Sequence, residues 1–227
     1  VALILMSLRR IPQAMEVLRQ EDGPQGMVKM AVAFFEMKGH ELWGKSVGII
    51  GLGAVGREVA KRLRGFDVEL LVYDPYVSGE VVERFGARHV DLETLLTTAD
   101  VVTLHAPVTE ETRGMLGREE FGLMKPTAHF INTARADLTD EDALYEALAE
   151  GRLAGAALDV FAQEPPPPDH PLLQLPNVIA TPHIGGNTQE IPAHQSRIVV
   201  SDLERLFQGE RPLHVVNPET LEGFAWR

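Results

Sequence analysis

The sequence predicts an α/β fold: a doubly wound parallel sheet with helices on both faces. Three observations carry that reading. Short β-rich runs alternate with helical patterns along most of the chain. The first run, "SVGII" (46–50), is apolar almost throughout, as a strand buried on both faces must be. Polar side chains able to do chemistry gather where the later strands end, the edge at which open α/β sheets place ligands.

The elements follow in order. "VALILMSLRRIPQAMEVLRQ" (1–20) reads as one amphipathic helix; it is too short to span a membrane and has no basic leader or cleavage site. Residues 20–44 are rich in Met and Phe (Met27, Met30, Phe34, Phe35, Met37) but are interrupted by Gly23, Pro24 and Gly26, so they read as an irregular apolar arm. After the strand 46–50, the stretch 54–64 places Val55, Val59, Ala60 and Leu63 at helical spacing. "VELLVY" (68–73) is the second strand, and "VSGEVVERFG" (77–86) and "DLETLLTTA" (91–99) read as short helices. "DVVTLH" (100–105) and "AHFIN" (128–132) are further strands. The run from Thr139 to Asp142 resembles a capping box and opens a helix that Gly151 ends. "LAGAALDV" (153–160) and "NVIATP" (177–182) supply the last strands; the Pro-rich run 162–176 between them is an ordered surface loop. Residues 187–208 form a final helix, with Pro192 near enough its start to be tolerated.

Composition excludes several classes of function. The chain has 227 residues, 24% charged and 44% apolar, with a net charge of −12 and no basic stripe. Neither nucleic acid nor an anionic membrane is expected as a partner through bulk electrostatics. Without cysteine there is no disulfide, thiolate metal site or Cys nucleophile. No His, Asp or Glu cluster has metal-ligand spacing, so no metal is expected. His89, His129 and His214 lie in or beside expected strands and read as structural, and His170 orders the Pro-rich loop.

Two overlapping phosphate-binding patterns compete between Gly39 and Gly56. Gly39 to Ser46 fits G-x-x-x-x-G-K-S, but that motif requires a helix directly after Lys-Ser. Lys45-Ser46 instead leads into a strand, so the match is a coincidence. Gly51-Leu-Gly53-Ala-Val-Gly56 fits G-x-G-x-x-G with a strand before it and a helix after it. Gly51 allows the tight turn, Gly53 lets a pyrophosphate approach the backbone, and Gly56 lets helix and strand pack closely, with free helix N–H groups facing the anion. Asp74, 18 positions beyond Gly56 at the end of the second strand, can accept both ribose hydroxyls of an adenosine and repels a 2′-phosphate. Its bland reading is a strand cap before Pro75.

Arg135, Glu164 and His183 lie in three of the later strand-end stretches. Taken singly, each has a bland reading: a surface ion pair, a solvated loop carboxylate, a hydrogen-bonded turn residue. Taken together, "GKSVGIIGLGAVGREVA", "VYDPY", "LHAPVTEETRGML", "INTAR", "GAALDVFAQEP" and "PHIGGNT" resemble the D-isomer-specific 2-hydroxyacid dehydrogenase family, in the family's order and over nearly the whole chain. The resemblance implies a Rossmann-like NAD-binding domain over residues 1–186, with a linking helix (1–20) and a dimerisation arm (20–44). Residues 187–227 would return to a substrate domain whose N-terminal part is absent from this sequence. It implies hydride transfer between nicotinamide and C2 of a small 2-keto or 2-hydroxy acid in a cytoplasmic homodimer. Arg135 would bind the substrate carboxylate, His183 would be the acid/base, and Glu164 would hold the imidazole's other N–H and stabilise imidazolium. NAD would be held by Gly51, Gly53, Ala54, Val55, Gly56, Asp74, His105, Pro107, Thr133, Ala134 and Gly185, with Asp159 supporting the site. Ala136 stands where the family usually has Gly. A formate dehydrogenase-like enzyme shares the pattern but carries Gln at the position of Glu164. A dinucleotide-sensing corepressor keeps similar Arg, Glu and His residues, and turnover of 2-keto acids separates it from an enzyme.

Overall fold

The computed structural model describes residues 1–19 and 25–226, so Gly23 and Pro24 of the expected arm lie outside the described residues. The chain forms two compact units, Val1–His183 and Ile184–Arg227.

The first unit is built on seven strands: β1 (Ser46–Ile50), β2 (Glu69–Tyr73), β3 (Ala87–His89), β4 (Val101–Leu104), β5 (His129–Asn132), β6 (Gly155–Leu158) and β7 (Val178–Ala180). They form a single sheet in the order β3-β2-β1-β4-β5-β6-β7, and every pairing is parallel. The chain winds outward from β1 to β3, then crosses back to β4 on the other side of β1. That reversal leaves a crevice at the carboxyl ends of β1 and β4, where open α/β sheets bind ligands.

Alternation along each strand separates two cores. Val47, Ile49, Leu70, Val72, Val101, Ile131 and Ala157 face one layer. Ile50, Leu71, Val102, Leu104, Phe130, Ala156 and Leu158 face the other. Helices α1 (Ala2–Leu8) and α4 (Ala54–Leu63) cover the first face, and α6 (Leu92–Thr98), α7 (Arg118–Leu123) and α8 (Glu141–Ala149) cover the second. The short helix α5 (Gly79–Glu83) buries Val82 against the first face. Neither β3 nor α7 was evident in the sequence; one is three residues long and the other six.

Four local expectations are corrected. The helix expected over 1–20 is broken into α1 and α2 (Ile11–Arg19), with Arg10 in the left-handed region at φ 52°. Pro12 has no N–H to give the Leu8 carbonyl, so the helical ladder cannot run through it; that carbonyl accepts from His40 N instead, at 2.8 Å. Gly39 makes this approach possible, since a Cβ there would stand 2.4 Å from Leu8 O. Within the described part of the apolar arm, residues 27–36 are not irregular but form a helix, α3 (Met27–Glu36), with no buried residue, while 37–44 are in neither helix nor strand. Val55 does not join the core face of α4: Gly56, Ala60 and Leu63 do, while Val55 is 62% exposed at the mouth of the glycine turn. Asp140, not Thr139, caps α8, its Oδ1 accepting from the N–H groups of Asp142 and Ala143 at 3.0 Å each.

Helix α1 is tied to the sheet by a buried polar contact between Ser7 Oγ and His129 Nδ1 at 2.7 Å. Burial, helped by the nearby His40, depresses the His129 pKa to about 4. The unfolded chain, with an ordinary His near 6.5, therefore takes up a proton first as pH falls. The contribution of His129 to stability is constant above that value and is lost between about pH 6.5 and 4. The loss attributable to His129 is about 2 kcal/mol at pH 5. Urea titrations at pH 7.5 and 5.0 check this: His129→Gln should be less stable at pH 7.5 yet lose less on acidification than the wild type.

The second unit contains α9 (Ile191–Phe207), with Pro192 in its first turn. Its tail is held by Asp202, whose carboxylate accepts from the N–H groups of Leu213 and His214 at 2.9 Å each. His214 also meets Asp202 through Nδ1 and is in a loop, not a strand. Among the described residues, no helix is long and apolar enough to cross a membrane.

Candidate active site

β1 ends in the glycine turn. Gly51 has φ +92°, and a Cβ there would be 2.7 Å from Ala106 N. A Cβ at Gly56 would be 2.1 Å from Gly51 O, so α4 can start against the strand only because that position is bare. Gly53 differs: it is the N-cap of α4, and no heavy atom lies within 4 Å of where its Cβ would be. The protein's own packing does not require glycine there, but the approach of a ligand would. Ala54 and Val55 form the exposed first turn of α4, whose leading N–H groups have no helical acceptor. Lys45 and Ser46 are at the opposite end of β1, with Ser46 N–H donating to Asp100 Oδ2 at 3.0 Å, so the overlapping P-loop pattern takes no part in this turn.

Asp74 braces the turn directly. Its Oδ2 accepts from Leu52 N at 2.8 Å and its Oδ1 from Tyr76 N at 3.0 Å. A carboxylate has about four acceptor positions, so two remain for ribose hydroxyls. His89 Nε2 meets the Asp74 carbonyl at 3.1 Å, a structural role that fixes the end of β2. Beside Asp74 is a cavity of about 130 Å³ whose lining includes Gly51, Pro107, Tyr76, Glu111 and Met115. Among the described residues no Lys or Arg lines it, and the Tyr76 hydroxyl donates to Glu111. Sequence reasoning missed Tyr76 and Glu111; the signal was their place in "VYDPY" and "LHAPVTEETRGML", two strand-end loops that follow β2 and β4, the strands on either side of β1. His105 N–H donates to Ile50 O at 2.7 Å, and its Nε2 meets Thr103 Oγ1 at 3.0 Å. Burial lowers its pKa to about 4, which makes it a neutral wall behind Gly51. An open Gly53, free helix N–H groups and an acid beside a narrow slot fit a dinucleotide.

Beyond β5, Thr133 and Ala134 are half-buried and lead to the exposed Arg135. Asn132, which sequence reasoning also missed, staples this loop. Its Oδ1 accepts from Ala134 N and its Nδ2 donates to Arg135 O, both at 3.0 Å. The Arg135 guanidinium donates to its neighbour's carbonyl, Ala134 O, at 2.6 Å. Beyond β6, Asp159 is buried and accepts from the Thr181 hydroxyl, linking the ends of β6 and β7.

Glu164 and His183 meet at Oε2–Nδ1 2.8 Å, beside a cavity of about 160 Å³ that Asp159 and Phe161 also line. The other Glu164 oxygen accepts from Phe161 N at 3.1 Å. The His183 hydrogen bond, then the Phe161 N–H and the Arg135 charge, hold the Glu164 carboxyl below its ordinary pKa, so it is ionised at neutral pH. His183 itself has φ 54°, a left-handed backbone that costs a non-glycine residue about 1 kcal/mol or more. Such strain at a polar, exposed residue points to a functional constraint. Gly185 falls in the second unit.

The family described as "D-isomer specific 2-hydroxyacid dehydrogenase, NAD binding domain" matches residues 1–185. The chain belongs to that family. It is 41% identical to a D-3-phosphoglycerate dehydrogenase of Archaeoglobus fulgidus over 98% of this chain, which spans 40% of that protein. It is 40% identical to a glyoxylate reductase of Korarchaeum cryptofilum over 97% of this chain and 65% of the relative. Among solved structures, a D-lactate dehydrogenase with NAD+ from Lactobacillus jensenii shares the fold with a TM-score of 0.79 and 30% identity, over 95% of this chain and 66% of that one.

Proposed function

We propose that the protein is an NAD(H)-dependent dehydrogenase that interconverts small 2-keto acids and D-2-hydroxy acids. The 2.8 Å contact between His183 and an ionised Glu164, on the same sheet edge as the dinucleotide turn, carries this reading. A carboxylate can only accept, so Nδ1 carries the proton and Nε2 is left to face substrate. His183 Nε2 donates its proton to the keto oxygen in reduction and takes it back in oxidation. Arg135, a planar donor fork, pairs with the substrate carboxylate and polarises the adjacent carbonyl. When bound, the nicotinamide supplies the hydride in one direction and accepts it in the other. The names of the relatives point to glyoxylate, hydroxypyruvate and the keto acid of 3-phosphoglycerate as the first panel. NADH oxidation by the full-length protein with any of these supports the reading. NADH binding without turnover of any keto acid would instead favour a dinucleotide-sensing corepressor.

NAD(H) is the proposed cofactor over NADP(H), because a 2′-phosphate would meet Asp74, with Glu111 in the same cavity and no base among the described residues lining it. The preference should fall about tenfold in Asp74→Asn, which removes the charge and keeps an acceptor for one backbone N–H. Equal affinity for the two cofactors in the wild type would reject the assignment.

A homodimer through α3 is proposed as well. Met27, Met30, Phe34 and Phe35 are all more than half exposed on this helix, a face that an isologous two-fold contact would bury. Light scattering on the full-length protein should give twice the protomer mass and Phe34→Lys should lower it; a monomeric wild type overturns the dimer.

A further inference from the structure

We propose a second binding site, for a small phosphomonoester-like oxyanion, at the amino-terminal edge of the sheet, opposite the dinucleotide edge. A cavity of about 290 Å³ opens there among α1, α2, the segment after α3, and the loop preceding β7. Arg10, Lys38, His40 and His129 line it, and among the described residues no carboxylate does, although Asp and Glu outnumber Lys and Arg in the chain by 33 to 21. Gathering like charges is unfavourable unless an anion joins them.

The backbone holds these groups in place. The left-handed turn at Arg10, imposed by the Pro12 break, carries its guanidinium out beside α3, where Nη1 donates to Glu36 O at 3.2 Å. The His40 N–H bond to Leu8 O and the close packing of Gly39 on Leu8 hold the segment bearing Lys38 and His40 against that turn. Gln13 supplies the remaining observation. Its Nε2 donates to Pro176 O at 2.8 Å, while its buried Oε1 has no partner among the described residues. A buried acceptor left open is destabilising, and a small turn of this flexible side chain toward the cavity that Gln13 lines lets a donor on the ligand satisfy it. The ligand therefore combines negative charge with a protonated oxygen: a hydrogen phosphate group, or a phosphate with a neighbouring hydroxyl. Sulfate, fully deprotonated at neutral pH, lacks that donor.

The test uses the full-length protein saturated with NADH, so that the dinucleotide turn is filled. Calorimetric titrations with inorganic phosphate, glycerol 3-phosphate and sulfate are run at constant ionic strength, on wild type and on the exposed-residue variant Arg10→Gln/Lys38→Met. Phosphate or glycerol 3-phosphate should bind at least fivefold tighter than sulfate, and the variant should lose tenfold or more while its NADH affinity is unchanged. Tighter binding of glycerol 3-phosphate than of phosphate identifies an organic phosphomonoester as the ligand; the reverse identifies free phosphate. No saturable binding, equal binding of sulfate, or unchanged affinity in the variant overturns the site. NADH affinity and keto-acid turnover are measured in the same samples, so failure of this site is distinct from failure of the proposed dehydrogenase activity.

Discussion

His183→Ala in the full-length protein should lower kcat for keto-acid reduction by about 10²–10⁴-fold, the range that a positioned proton donor contributes. NADH affinity should stay within about twofold, because the hydrogen bonds described for His183 run to Glu164 and Thr181 and not to the glycine turn or Asp74. Glu164→Gln should cost less, because an amide oxygen still accepts from Nδ1–H and holds the ring in place. Arg135→Lys should chiefly raise KM and reduce kcat, since a point charge replaces a bidentate fork. Near-normal rates in both His183→Ala and Glu164→Gln would take both residues out of the mechanism.

The glycine turn should separate packing from binding by position. Gly56→Ala places a methyl 2.1 Å from the Gly51 carbonyl oxygen, a backbone atom that cannot rotate away. Overpacking of this kind costs about 3 kcal/mol or more, which is about 6–12 °C in Tm for a domain of this size. Gly53→Ala meets no atom within 4 Å and has an ordinary extended backbone at φ −71°. Its Tm should change by no more than about 3 °C, while NADH affinity falls about tenfold or more as the methyl enters the pyrophosphate's path. Differential scanning calorimetry and NADH fluorescence titration on the pair read the two effects. Wild-type NADH affinity in Gly53→Ala would show that the turn is not the phosphate cradle.

Much of this was legible because the physics left a local mark. β1 was placed to the residue, since a strand buried on both faces must be apolar throughout. The glycine turn and Asp74 were legible because a tight turn and a close approach admit few residue types. What escaped lacks such a mark. The Pro12 break was visible only as one residue, and its consequence depended on whether His40 could satisfy Leu8 O from 32 positions away. α3 is apolar around much of its circumference, so periodicity could not declare it a helix. Val55 fits the spacing of a core face, yet its burial depends on where the sheet sits. Asn132, Phe161 N–H and the Tyr76–Glu111 contact order the site through bonds between loops, and no pattern within one loop announces them.

The sheet's two outer strands have a consequence for self-association. β3 and β7 are each three residues long, and β7 is flanked by Pro176 and Pro182, which cannot donate to a neighbouring ladder. An incoming strand would find too few free N–H and C=O groups to register against. Growth by edge-to-edge annealing, the hazard of an exposed sheet edge, is thereby disfavoured at both margins, which favours side-chain surfaces over strand pairing where copies of this chain meet.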